Sequence, residues 1–546
     1  MIRLIARWIA LLSFSILIAG VARAQPEYVP LSHPVYSFLN YLAVRGDLLH
    51  WSTAQLPVSR ARVQQWLQTV DTSRLPQAVR PVWRRYYQEF APLPSQRRTI
   101  FPTASDTLPL FWDGLAGDAE KFVVYYQDTV STVALEPLGS LEGWFRWADG
   151  DKHTALLAQG GFRVYGDFEQ QLGYFLQITN GTLLDGDRSV ALQDPMLRKN
   201  VKFSLLRSDF DFTESHVRYR KDWFFIDVGR MRRKLGAGVF TGLFTDPNAL
   251  PYDAVSAGVL TDRVRYTAQI ASLIANPVSD VAVGVATEIP PKFYVYHRFA
   301  YHWEWGAVGF NEGLIFSGRA LDFAYLTPLS FLKSLEHSLR DRDNSFMGVD
   351  VEYQPFTGFR AYGGFFLDDI IFGNIGKGYW SNKTAWNVGV NLAAGTFQFA
   401  TEYTRVEPYT FTHFNYQNTP THDSVIITAN LPPNADRWTV ALWWWWQQRY
   451  PVQIQLTSIR HGENLYDSSG TLLRNVGGDV WRSRRHQDAE TVRFLDGKLV
   501  RRFQLSLQVG YEIRRQWILL LQLTYHTRTD QAAQWLAKLF LRFGDF

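Results

Sequence analysis

Four consecutive tryptophans, Trp443-Trp444-Trp445-Trp446, are the strongest local signal in the chain. An indole offers a flat apolar face and one N–H donor, which suits a sugar ring, a membrane interface or a packed core. On a strand, successive side chains take opposite faces, so two of the four point one way and two the other. The outward pair fits a membrane girdle; the inward pair is either packing or a stacking platform for sugars. Arginines form the second group: Arg230, Arg232 and Arg233 beside Lys234, then Arg482, Arg484 and Arg485, and the doublets Arg501-Arg502 and Arg514-Arg515. Guanidinium forks bind carboxylate and phosphate bidentately, so these clusters suit acidic glycans or lipid phosphates. They can equally solvate strand ends or pair with carboxylates such as Asp227 and Glu402. The candidate polysaccharide-binding residues are therefore Arg230, Arg232, Arg233, Trp443, Trp444, Trp445, Trp446, Arg482, Arg484 and Arg485.

Other chemistries find little support. Asp341, Asp343 and Ser345 with Glu352 have the acidic spacing of a calcium loop, but Phe346 stands where its sharp turn needs glycine. Asp368-Asp369 reads as a loop carboxylate pair. The 12 histidines are scattered; His413, His422 and His461 fall in expected loops without a nucleophile string beside them. There is no phosphate loop, no HExxH, and with no cysteine no CxxC. The expectation is a protein that is not an enzyme, with no catalytic residue, metal or cofactor. A formal charge of +5 falls to +2 once Arg3, Arg7 and Arg23 leave with a signal peptide, which argues against a nucleic-acid partner.

The elements that must position these residues are mainly strands. Phe503, Leu505, Leu507, Val509 and Tyr511 alternate with Gln504, Ser506, Gln508 and Gly510, and the pattern recurs in Trp517 to Tyr525 and Trp535 to Phe543, where Lys538 and Arg542 lie between apolar neighbours. Aromatics at both ends of apolar rows about ten residues long suit a lipid-facing barrel wall with two girdles. The same alternation appears in Phe162 to Glu169 and Phe397 to Thr404. From about Asp113 to Phe546 the chain accommodates roughly 14 to 20 strands of about ten residues. Long connections near 180–200, 240–256, 326–344, 366–383, 406–436 and 460–493 are expected on the external side or folded inward as a plug. The terminal Phe546 is out of phase with its row, so Gly544-Asp545-Phe546 must bend if the last ring is to reach the lipid face and be read by barrel-assembly machinery.

The N-terminal region differs. A basic start, the apolar run Ile9 to Gly20 and Ala22-Arg23-Ala24 read as a signal peptide over 1–24. Residues 25–112 read as a helical lead and linker, with apolar positions at helical spacing in Val35 to Leu42, Val63 to Val70 and Val82 to Phe90, Ser32 and Ser59 as caps, and Arg60, Arg62, Arg80, Arg84 and Arg85 on the outside. Residues 113–546 form the barrel. No later run offers the roughly 18 apolar residues of a membrane helix, whereas a closed strand barrel pairs its backbone groups internally. The fold class is all-β: a large antiparallel transmembrane barrel with a small N-terminal helical bundle.

Several strings, in this order, resemble the capsule assembly Wzi family of outer-membrane proteins: Val29-Pro30-Leu31-Ser32-His33, Tyr36 to Leu39 and Arg45-Gly46; Gly229-Arg230 with Leu235 to Gly238; Asp343-Asn344 with Gly348-Val349-Asp350; Phe365 to Asp369; and Thr401 to Val406 with Pro408-Tyr409 and His413. The resemblance runs from about Val29 to the end. It implies an 18-stranded barrel in the cell outer membrane, with its helical bundle in the periplasm. It also implies a lectin-like role in retaining capsular or other surface polysaccharide, with outer-membrane lipid and lipopolysaccharide around the wall. The residues themselves leave a porin or uptake channel open as the alternative, since a barrel this wide can hold a water-filled pore.

Overall fold

A computed structural model describes residues 25–91, 116–200, 202–206, 208–276 and 289–546. The signal peptide expected at 1–24 and most of the linker, including the boundary at Asp113, lie outside the described residues. Eighteen antiparallel strands close into one barrel: β1 Ser131–Ala148, β2 Asp151–Phe168, β3 Leu172–Gly186, β4 Asp209–Lys221, β5 Phe224–Met231, β6 Tyr252–Leu260, β7 Val264–Ile274, β8 Pro291–Trp303, β9 Gly306–Ser317, β10 Asn344–Phe356, β11 Phe359–Asp369, β12 Lys383–Ala394, β13 Phe397–Val406, β14 Ala435–Trp444, β15 Val452–Glu463, β16 Lys498–Arg514, β17 Trp517–Arg528 and β18 Gln531–Phe543. Each pairs with its sequence neighbours, and β18 returns to β1 with Phe543 opposite Gly139 and Gln534 opposite Ala148. β1 is longer than β18, and the short strand Val124–Gln127 pairs along its remaining edge, leaving fewer open backbone groups.

Alternation sorts the wall as the apolar rows require. Leu505, Tyr511, Leu519, Trp535, Leu539 and Leu541 are exposed on the outside, while Gln508, Leu520, Lys538, Phe540 and Arg542 line the lumen. One aromatic girdle contains Trp223, Trp305, Phe397, Trp444 and Tyr511; the other contains Trp147, Trp438 and Trp535. A continuous apolar exterior between two such girdles is a surface that a bilayer solvates and water does not. Among the described residues no helix is long and apolar enough to cross a membrane. The crossing is made by strands.

Connections at one end of the barrel are short, and those at the other, except the turns after β1 and β17, are long. Three helices, α1 Val35–Val44, α2 Arg60–Thr69 and α3 Arg80–Phe90, cap the short-turn end. Their core of Phe38, Leu39, Leu42, Val63, Leu67, Val82 and Tyr86 also takes in Trp445 from the wall. Gly46 follows α1 with φ +83°, and a Cβ there would stand 2.7 Å from Thr357 Cγ2, so glycine permits both the reversal and the close docking on the β10–β11 turn. Two details depart from the sequence reading. Pro34, not Ser32, occupies the N-cap of α1, and Ser59 caps α2 by position without a side-chain bond. Not all of the helical arginines face water: Arg60 lies over the rings of Phe90 and Tyr165, and Arg85 bonds Glu512 of β16, because these helices press on a wall whose short-turn end carries acids.

The lumen is filled from both ends. Behind the helices, Gln55–Leu56 pairs with Lys234–Leu235 of the long β5–β6 loop, joining a segment from the short-turn end to one from the other. Wall carboxylates hold the two: Glu352 accepts Thr53 N (2.9 Å) and Oγ1 (2.6 Å), and Glu402 accepts Val239 N (2.8 Å) and Phe240 N (3.1 Å). The β13–β14 loop folds in as well, with Ile427, Ala429 and Leu431 packed against Leu243, Phe244 and Ala249. These contacts make a plug out of connections that the sequence left as either external loops or plug.

Candidate functional site

Between this plug and the wall formed by β1–β5 and β16–β18 lies a cavity of about 930 Å³. It reaches from the long-loop rim to Ser32, Tyr450 and Phe546 at the capped end. At the rim β4 outruns β5, whose pairing with it begins at Ser215–Arg230, and Arg230 stands beside this step. The inward positions of β1 and β18 supply Glu142, Trp144, Lys538, Phe540 and Arg542; Lys538 is opposite Trp144 in the register, and its Nζ lies 3.5 Å from the ring centroid. Polar side chains, Gln159, Gln177, Thr179, Gln508 and Gln522, alternate with the aromatics Phe210, Phe212 and Phe546. Flat apolar faces beside amide and hydroxyl groups offer what sugar rings bind, CH faces and hydroxyls together.

The cations of the cavity are matched. Arg232 Nε lies 3.1 Å from Glu214, Arg230 Nη1 3.1 Å from Asp253, Arg542 Nη2 3.7 Å from Glu142, Lys538 Nζ 3.9 Å from Asp194 and Lys199 Nζ 4.0 Å from Asp423. Such a surface presents hydrogen-bonding charge without a strong field of either sign.

Below the cavity an ionic cluster closes the floor. Arg449, in the β14–β15 turn, contacts Glu89 of α3 (3.0 Å), Glu512 of β16 (3.3 Å) and Asp545 of the C-terminus; Arg515 contacts Glu89 (3.2 Å), Glu512 (3.0 Å) and Glu120; His33 Nε2 lies 2.8 Å from Glu89. Burial alone would raise the Glu89 carboxyl, but Arg449, His33 and Arg515 hold it well below the usual carboxylate range. His33, Glu89 and Asp545 converge closely enough for a cation, yet Arg449 supplies the positive charge among them. The cluster joins helical lead, wall and C-terminus.

The sequence candidates separate on this framework. Arg230 and Arg232 line the cavity, whereas Arg233 is buried, donating to the carbonyls of Met231 and Tyr252 at 3.4 and 3.1 Å with its side chain 3.9 Å from Asp227. The tryptophans alternate as expected. Trp444 and Trp446 face outward beside Phe397 and Tyr511; Trp443 faces inward and stacks on Phe240 of the plug at 6.0 Å; Trp445 packs against Phe38 and Tyr41 of α1. Trp443 also lines a smaller cavity of about 240 Å³ with Gln398, Gln453 and Gln455. Arg482 is exposed in the β15–β16 loop. Arg484 and Arg485 brace that loop, donating to Asp488 O (2.6 Å) and to Asp488 Oδ1 (2.8 Å). The calcium-like string does not converge: Asp343 is bonded by Arg319 and Tyr325, while Glu352 holds the plug. His461 lies on strand β15 and not in a loop, and the rings of His413, His422 and His461 bond backbone groups of their own segments or of neighbours.

Glu142, Trp144, Glu214, Lys538 and Arg542 were not among the candidates. Lys538 and Arg542 had a signal, since they break an otherwise apolar strand at inward positions; Glu214 had none, because only the register brings it to Arg232. Phe546 does bend away at Gly544, whose φ is +87°, but the ring enters the lumen beside Arg542 instead of reaching the lipid face. The outward row ends at Phe543, edge-on to Trp517 at 4.9 Å.

A closed 18-stranded antiparallel barrel with an apolar belt, two girdles and a filled lumen defines a transmembrane β-barrel of the outer-membrane type. Among solved structures, Wzi of Escherichia coli, an outer membrane protein involved in group 1 capsule assembly and described as a carbohydrate-binding beta-barrel, aligns over 95% of this chain and 99% of its own, with a TM-score of 0.55 and 10% identity. OccAB4 of Acinetobacter baumannii aligns over 76% and 98% (TM-score 0.44, 11% identity), and OprD of Pseudomonas aeruginosa over 75% and 94% (0.40, 10%). No family model and no curated protein matches the sequence. The Wzi-like architecture expected from the ordered strings is thus present as a fold.

Proposed function

We propose that this chain is an outer-membrane barrel that binds capsular or other surface polysaccharide in the lumenal cavity and does not turn it over. The observation that carries the reading is a 930 Å³ cavity, mixed aromatic and polar, inside a barrel whose through-path is occupied by helices and two long loops. Arg230 and Arg232 stand where a chain entering from the rim meets the protein, with Trp144 and Phe540 deeper, whereas Arg482, exposed in the β15–β16 loop, does not line this cavity. Because each cation already faces an acid, a neutral or mixed-charge glycan suits the cavity better than a polyanion. Trp443 offers a second, smaller contact through its own cavity. The commitment of His413, His422 and His461 to backbone bonds supports binding without catalysis. Long loops at the end opposite the helical lead support an exterior position for those loops and a periplasmic one for the lead, with lipid, lipopolysaccharide and the barrel-assembly machinery as the remaining partners of this reading. That Wzi itself is a carbohydrate-binding barrel of the same fold supports the assignment.

The test is calorimetry on the purified barrel with polysaccharide from the producing cells, alongside deletion of the gene. Expected are saturable binding and capsule that is made but shed into the medium. Unchanged cell-bound glycan and a large steady conductance in planar bilayers would overturn the reading in favour of a diffusion channel.

A further inference from the structure

The loop joining β9 to β10, residues 318–343, does not arch over the lumen. It folds down the outside of the wall. The orientation follows from parity: Asn311 points into the lumen, where Arg298 Nη1 donates to it at 2.7 Å and it donates to Asp350 at 2.7 Å, so Glu312, Leu314 and Phe316 face outward. Against that outer face pack Tyr325 and Leu332, the latter opening the short helix α4 (Leu332–Ser338), together with Leu335 and Leu339; they cover Val295, Leu314 and Phe316. Further along, the Tyr266 hydroxyl of β7 donates to Pro328 O.

Under this loop sits an ionisable pair on the lipid-facing side of the wall. His297 Nδ1 is 3.1 Å from Glu312 Oε1, and Leu332 N donates to Glu312 Oε2 at 3.0 Å; both side chains are buried. From the girdle residue Trp305, about seven strand positions of about 3.3 Å at a tilt of about 40° lift Glu312 by about 18 Å, within an apolar band about 25 Å tall. A bare carboxylate there would face hydrocarbon. The loop supplies its polar partner and covers it.

Between Phe323 and Phe331 the loop's far side is apolar and open, with Phe323 84% and Leu329 87% exposed and Phe331 and Leu326 also exposed, while the charged His337, Arg340, Asp341 and Arg342 follow toward β10. It lies next to the wall residues Phe299, Val308, Phe310 and Val349, which are themselves exposed and outward. In water this would be an uncompensated apolar patch. It adjoins the apolar belt of the wall.

We propose that residues 318–343 form a membrane-seated flap, with acyl chains of the bilayer covering Phe323, Leu326, Leu329 and Phe331 and the inner side insulating the His297–Glu312 pair. The chain has no cysteine, so single-cysteine variants are clean probes. Nitroxide labels at F323C and L329C, in reconstituted vesicles, are expected to relax with oxygen and to be shielded from a nickel chelate to the same degree as V349C on the bare wall. A label at S468C, in an exposed rim loop, gives the reverse. Nickel access at 323 and 329 equal to that at 468 would place the flap in water and overturn the proposal. Spin–spin broadening between copies at 329 would overturn it too, by making a second copy of the chain the occupant.

Discussion

Arg449 Nη2 lies 3.0 Å from Glu89 Oε2, linking a turn of the barrel wall to the third helix of the N-terminal lead through a buried contact. The two residues are 360 positions apart, and their meeting is what turns a helical leader into the floor of the cavity. Removing one partner of such a pair leaves the other charge buried and costs about 3–5 kcal/mol. R449A is therefore expected to loosen the lead and make the 25–91 region susceptible to protease in the purified barrel, while the strand wall stays intact. R62A is the control, since its partner Asp262 is well exposed and a surface pair contributes about 1 kcal/mol or less.

The same lock has a pH signature. The Glu89 carboxyl is held below its usual range in the folded state, so its contribution is present above about pH 4.5 and is lost as pH falls below that. Cleavage of the lead should accelerate in acid. Glu27, by contrast, is pushed up to about 8 by burial, so its contribution is complete below about pH 4.5 and is lost as pH rises through about 8. E27Q should resist alkaline unfolding better than the parent and match it near pH 4.5, as read from heat-modified gel mobility.

Conductance follows from the plug. Deletion of residues 234–250 removes the loop strand paired to Gln55–Leu56 and the apolar cluster around Phe244. Planar-bilayer recordings are expected to show little steady current for the intact chain and a clear increase for the deletion. Equal currents would mean that the loop does not obstruct the lumen.

The tryptophan run divides by face. W445A opens a hole among Phe38, Tyr41 and α1, with an expected cost of about 3–5 kcal/mol in unfolding and a loosened lead. W444A removes a girdle ring exposed to lipid and should change unfolding in detergent by about 1 kcal/mol or less. Similar losses in both would contradict the alternation.

Binding is expected to weaken about tenfold in R232A and R230A, each losing one charge-assisted contact to glycan hydroxyls or carboxylates, by calorimetry. R233A is expected to destabilise the plug mouth instead, because its guanidinium is spent on the carbonyls of Met231 and Tyr252.

The sequence by itself determined the wall. A strand has period two, so each apolar row from Phe503 to Phe543 fixed which side chains meet lipid, and the 3.6-residue spacing in Val35 to Phe90 fixed three helices. Those are local rules, and they hold without knowledge of partners. The tertiary structure decided what lies inside and outside that wall. Whether the β5–β6 loop leaves the barrel or enters it turns on Glu352 meeting Thr53 and Glu402 meeting Val239, contacts between residues far apart in the chain. Arg230 and Arg233 look alike in sequence, yet the step where β4 outruns β5 leaves one at the mouth of the cavity, and the turn of the chain into the lumen buries the other. The flap is the clearest case. Its leucines and phenylalanines read as an ordinary long loop, and only the closed barrel, by presenting Glu312 and His297 on its lipid face, gives that loop a reason to fold outward.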